Sequence, residues 1–208
     1  SNLAGVDLVI GAKGSPLQLI LCNLFHVDLP TGNIPLEQAR PFLNPKHPLV
    51  GQAIPLSLGD TYRKHRIVGT LHDYVDLYEG KIQEGRLWEK SMEVTIGADA
   101  AKELNLKVGD RFHSSHGFVM DDNLVHDDSE MFEVVGILQP SGSVLDQLIL
   151  TAPQSIWQVH AHSEGGDETA ADSAAAAPAR LLAALPPDID PMRRALIASP
   201  GNEEITSM

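Results

Sequence analysis

The stretch 84–151 constrains the fold more than any other part of the chain, because its punctuation sets the type of each element in turn. The run from Glu93 to Ile96 has a strand former at three of four positions and ends at Gly97. After it Ala100, Ala101 and Leu104 are spaced for one face of a short amphipathic helix. Lys107-Val108-Gly109-Asp110 supplies the glycine that a tight reversal needs, and a second strand is expected over 132–138, beyond an acidic insert that carries histidines. Pro140-Ser141-Gly142-Ser143 lacks the G-x-S-x-G frame of a nucleophile elbow and reads as a turn between two strands. No group in the stretch is an obvious catalyst, so it reads as a small strand-rich module built for packing.

A chain of 208 residues with 43% hydrophobic content can bury a core of its own, and two lobes are expected. The formal net charge of -13 argues against nucleic acid as a partner, since phosphate binding needs a cationic surface, and it disfavours anionic lipid for the same reason. Cys22 is the single cysteine, which rules out an intrachain disulfide and cysteine-rich zinc sites; in an apolar run it reads as a small buried hydrophobe. No run approaches the ~20 apolar residues of a membrane-spanning helix. The nearest, 17–27, is too short and carries Gln18, Asn23 and His26. With neither an initiator Met nor a signal peptide, the chain is expected to be a soluble piece of something larger.

From the start, 7–10 is a compact apolar run that suits a strand, closed by Gly11-Ala12-Lys13-Gly14-Ser15-Pro16. Lys13 precedes the second glycine and Pro16 lacks an N–H, so this is a redirecting turn and not a phosphate loop. Periodicity leaves 17–27 undecided between buried strand and helix. Pro35 followed by Leu36, Ala39, Phe42 and Leu43 predicts a short helix with Pro35 in its first turn, ended by Pro45 and Pro48. Strands are expected over 50–58 and 65–70, turning at Gly59-Asp60-Thr61. Tyr74, Leu77 and Tyr78 suggest a docking helical turn, and 153–159 a helix with Ile156 and Trp157 inward.

In their order, Gly85-Arg86, the strand 94–97, the helix 98–104, Leu106-Lys107-Val108-Gly109-Asp110, Val134-Val135-Gly136-Ile137-Leu138 and 146–150 resemble the MacB-like periplasmic core domain. That is the extracytoplasmic domain of FtsX-family ABC transporter permeases. The N-terminal run from Asp7 through Leu17 and Gly32-Asn33-Ile34-Pro35 resemble an uncharacterised subgroup of those permeases. The resemblance covers nearly the whole chain, from about 6 to 205. It implies an α+β fold in which a mixed α/β porter-like lobe is built from both chain ends, 1–84 and 164–208, with a β-rich sabre-like lobe, 85–163, inserted. A second β-α-β unit would then occupy 169–199, with a helix over 178–185 and a strand over 195–198; by composition 162–171 reads as disordered. In such permeases the domain hangs between two transmembrane helices, both ends face the membrane, and 200–208 begins the connection to the second helix.

The function implied is non-catalytic: an extracytoplasmic domain of a cell-membrane transporter that relays ATP-driven motion and contacts a substrate or a partner protein. No cofactor is expected in the chain, ATP being bound by a separate ATPase subunit; a second permease copy and a periplasmic protein are the other expected partners, and the membrane is reached through flanking helices. Long polar loops on a rigid support are where binding groups sit, so partner contact is assigned to the loop around His116, Phe118, Met120, Asp121 and Asp122. The alternative is a periplasmic metal-binding module that uses His113, His116, His126, His160 and His162 with neighbouring carboxylates. Against it stand the lack of HExxH and of calcium-loop spacing. His160 and His162 share a face if their backbone is extended. A hydrolase is a third possibility, without a nucleophile frame to support it.

Overall fold

The computed structural model describes residues 5–27, 30–114, 131–163 (backbone alone for 160–163), 185–199 and 204–208. Leading the chain, 7–10, expected as a strand, is not one, and it pairs only at its end: Ile10 N–H and Met208 C=O, and Met208 N–H and Ile10 C=O, lie 3.0 Å apart, followed by a bridge from Gly11 to Ser207. Helix α1 (Pro16–Asn23) resolves the undecided apolar run, with Pro16 in its first turn where a missing N–H is harmless. A two-residue strand β1 (Ile34–Pro35) leads into α2 (Leu36–Leu43), for which Pro35 is the N-cap rather than a first-turn residue.

The hairpin β2 (Ser57–Tyr62) and β3 (His65–Gly69) turns at Arg63 and Lys64, four residues later than its composition suggests. Gly59 looks like a turn residue but sits within β2 at a register shift between Leu58 and Asp60, where an extra residue bulges from the ladder. After α3 (Asp73–Leu77) come β4 (Ile82–Gly85), β5 (Glu93–Ile96), α4 (Ala98–Leu104), β6 (Arg111–Phe112), β7 (Phe132–Leu138), a 3-10 turn (Val144–Gln147), β8 (Ile149–Thr151) and α5 (Pro153–Ser163). β5, α4 and β7 occupy the positions expected of them.

Residues 195–198, expected as a strand, belong instead to helix α6 (Pro191–Ala198). Asp190 supplies the reason: its Oδ1 accepts from the backbone N–H of Met192 (2.9 Å) and Arg193 (3.0 Å), and Pro191 takes the first position, a strong helix start. The expected helix at 178–185 lies, but for Leu185, outside the described residues. Strand β9 (Glu204–Ile205) pairs antiparallel with β1, so the last residues are woven into the fold.

The fold is α+β. One mixed sheet runs in the order β2-β3-β8-β5-β7-β4, with β6 alongside β4 on the outer side of β7. β3–β8 and β5–β7 are parallel, the other pairs antiparallel. The boundary expected at 84/85 falls inside β4, and the sheet is continuous across it. Successive residues of a strand point to opposite faces, and both faces of this sheet are packed. Val68, Val135 and Leu150 join Trp88, Tyr74 and Leu145 on one side. Ile67, Val134 and Ile149 join Ala100, Leu104 and Ile156 on the other. That double burial explains why β7 is apolar at every position after Glu133, from Val134 to Leu138. A third cluster draws on Leu36, Leu43, Leu196, Ile197 and Ile205 from the two ends of the chain.

Candidate functional site

An irregular strap, 44–55, follows α2 because Pro45 and Pro48 stop the helix and Gly51 and Pro55 keep the chain from joining the sheet. Between the strap, the extended N-terminal segment and α3 opens an apolar cleft of about 310 Å³. Leu8, Ile10, Leu24, Ile54, Leu77 and Met208 supply much of its lining, so both chain ends contribute to it. Leu8 and Leu49, 70% and 89% exposed, belong to the same wall.

The polar side of the cleft is aromatic. Tyr74 on α3 and Tyr78, which caps its end, line it with their rings edge-on, centroids 5.3 Å apart. Behind them His26 Nε2 is hydrogen-bonded to the Tyr74 hydroxyl at 2.8 Å. Burial, reinforced by the positive charge of Arg66, holds the imidazole of His26 down to about 3, so it is neutral at physiological pH. Burial likewise pushes the Tyr74 hydroxyl well above its ordinary value, with Tyr78 adding to the effect. His26 Nδ1 is buried without a hydrogen-bond partner among the described residues. Neutral imidazole and undissociated phenol make a packing and hydrogen-bonding wall near neutral pH.

A second cavity of about 310 Å³ shares Phe42 and the strap residues 50–53 with the first. Its floor is Arg193, only 7% exposed, which is ion-paired with Asp73 and donates to the carbonyls of Leu43 (3.2 Å) and Ala53 (3.0 Å). All of these bonds tie α6 to α2, the strap and α3.

Of the residues assigned by sequence to partner contact, His116, Phe118, Met120, Asp121 and Asp122 lie outside the described residues, as does His126. His113 is exposed just beyond β6. His160 and His162 lie in the helical backbone of α5, where positions two apart are rotated by about 200°, so the extended backbone that would put them on one face is not present. Among the described residues no three His, Cys, Asp or Glu side chains are grouped as a metal centre. The hydroxyls of Ser141 and Ser143 are bonded to each other at 2.7 Å, and Ser141 also donates to Asp146 (2.8 Å), which fits the reading of this segment as a structural turn. Sequence reasoning missed the cleft. Its one visible signal was the run of prolines and glycine through the strap, which marks chain kept out of regular structure.

No family model matches the chain, and no curated protein matches it. Solved structures similar to it include two transporter domains. The periplasmic region of MacB from Actinobacillus actinomycetemcomitans is 12% identical with a TM-score of 0.45, over 72% of this chain and 65% of that one. The extracellular domain of the noncanonic ABC-type transporter YknZ from Gram-positive bacteria is 11% identical with a TM-score of 0.43, over 75% of this chain and 76% of that one. The chain thus spans slightly less than two thirds of the MacB region. Among the described residues no helix is long and apolar enough to cross a membrane.

Proposed function

We propose that the chain is the extracytoplasmic domain of an ABC transporter permease, a non-catalytic unit that passes motion generated by a separate ATPase to a substrate or partner protein. The observation that carries this reading is the reciprocal pairing of Ile10 with Met208, which brings the two chain ends side by side and pointing the same way. A domain set between two consecutive transmembrane helices needs that arrangement. The ordered motifs from Gly85 to Leu150 support the same reading, and so does a continuous sheet packed on both faces, a unit suited to being displaced as a whole. The loop 117–130 is the proposed partner contact.

The parent protein tests the proposal. It is expected to carry an apolar span of ~20 residues on each side of this chain, to fractionate with membranes and to copurify with an ATPase subunit. A full-length protein without those two spans would sink the reading.

A further inference from the structure

The large hydrophobic side chains that stand exposed among the described residues are Leu8 (70%), Leu17 (63%), Ile20 (41%), Val27 (70%) and Leu49 (89%), all in the first quarter of the chain. Two of them are on α1, where the usual orientation is partly reversed. Leu17, Ile20, Leu21 and Leu24 follow the i, i+3, i+4, i+7 pattern of an apolar stripe, yet Leu17 and Ile20 are exposed and Leu21 and Leu24 only half-buried. The opposite side buries Cys22 and Asn23, and Asn23 is held there by its bond to the Leu19 carbonyl (2.9 Å) and by accepting from the Ser207 hydroxyl (2.6 Å). α1 is therefore fixed to the C-terminal segment with an apolar face outward, next to the place where the chain ends pair.

Charge says what covers that face. Residues 8–27 contain no Asp or Glu, in a chain that has 28 acids and a net charge of -13. Lys13 is the one charge left in the stretch at neutral pH, because buried His26 is neutral. A protein partner would ordinarily meet a charged or polar rim and aromatic or arginine anchors. This stretch has no Trp, Tyr or Arg, and the nearest acids in sequence, Asp7 and Asp28, lie just outside its two ends. Leucine-rich, nearly uncharged surface suits the boundary between headgroups and acyl chains, where a carboxylate would be costly to dehydrate. A single Lys gives little attraction to anionic lipid, which leaves apolar burial as the driving force.

We propose that the outward face of α1, with Leu17 and Ile20 at its centre and Val27, whose N–H meets the Leu21 carbonyl, at its end, rests in the interfacial layer of a zwitterionic phospholipid bilayer. This placement rests on the permease reading, in which both ends lead to the membrane, but its test does not use the parent protein. The chain is mixed with phosphatidylcholine vesicles at millimolar lipid, where weak partitioning is measurable, and floated on a density gradient. The wild type is expected to float with the vesicles, equally in low and high salt. Leu17→Gln with Ile20→Gln should lower its partition coefficient about tenfold or more, since two apolar side chains lose their transfer gain. The melting temperature should fall by no more than a few degrees, because Leu17 is largely exposed and Ile20 41% exposed in the free chain. Failure of the wild type to float, equal flotation of the double variant, or binding that needs phosphatidylglycerol and vanishes in salt would each overturn the proposal. Self-association lost in the double variant, without lipid binding, would assign the face to a second copy instead and would also overturn it. A parent protein without flanking spans would remove the permease reading while leaving the vesicle result standing.

Discussion

Glu93, the first residue of β5, fixes the turn before it. Its carboxylate takes a two-pronged bond from Arg86 (2.7 and 2.8 Å) and further bonds from the backbone N–H of Glu89 (2.8 Å) and Lys90 (3.2 Å). The Arg86 bond, together with those two amides, holds its carboxyl down to about 2 against the burial that opposes it. A carboxyl lowered on folding stabilises above its unfolded value near 4.5, and that contribution is lost as the pH falls toward 2. In urea titrations the stability gap between wild type and Glu93→Gln should therefore be widest at pH 7 and shrink steadily below pH 4.5; a gap independent of pH would contradict the assignment. Asp146 does similar work without a cation, accepting from Ser141 N–H, Ser141 Oγ and Gly142 N–H, each at 2.8 Å. Asp146→Ala strands those donors at a site only 6% exposed and should cost about 1–3 kcal/mol in the same urea assay.

At the level of elements, local signals served where one short segment held all of them. β5, α4 and β7 were legible because Gly97, the helical spacing of Ala100, Ala101 and Leu104, and the apolar run of 132–138 each act within a few residues. The hairpin was misplaced because Gly59-Asp60-Thr61 has the composition of a turn, and nothing local distinguishes a bulge glycine from a turn glycine. Residues 195–198 read as β-prone taken alone; the Asp190-Pro191 start, several residues upstream, decides for helix. The parallel pairing of β3 with β8 joins segments about eighty residues apart and left no trace in either. Gly97 shows both levels at once. As sequence it stops a strand, and in the fold it lets the backbone of Leu145 and Asp146 pass against it, where a Cβ would overlap the Leu145 carbonyl. Gly97→Ala should lower stability by more than about 2 kcal/mol by forcing α4 away from the 3-10 turn. A thermal melt within a degree or two of wild type would show that this approach can relax.

For the whole molecule, the cleft and the outward face of α1 went unread because both depend on where the chain ends return, and the composition of 204–208 does not announce it. Those five residues bind several separate parts of the fold. Glu204 C=O accepts from the Trp157 indole (2.7 Å), Thr206 N–H donates to Leu56 C=O (2.7 Å), and Thr206 Oγ1 accepts from Leu58 N–H (2.8 Å). Ser207 C=O accepts from Leu56 N–H (2.7 Å), its hydroxyl reaches Asn23, and Met208 pairs with Ile10. A displacement of the C-terminal end would therefore act on α1, α5 and the start of β2 together. The central strands β5 and β7 are bonded to other partners and are shielded by both main core clusters. Two regions that open separately should exchange their amides separately. Thr206→Val with Ser207→Ala removes the Thr206 hydroxyl, which accepts from Leu58 N–H and faces Asn33 Oδ1 (3.2 Å) and Leu58 C=O (3.4 Å), and the Ser207 hydroxyl that donates to Asn23, at about 0.5–1.5 kcal/mol for each bond lost. Amide exchange at Leu56, Leu58 and Ser207 should then quicken roughly five- to a hundredfold, while Ile96 and Val134 keep their wild-type protection. Equal acceleration at Ile96 and Val134 would mean that the terminal segment and the sheet open as one unit, and that the chain ends do not move independently of the rigid sheet.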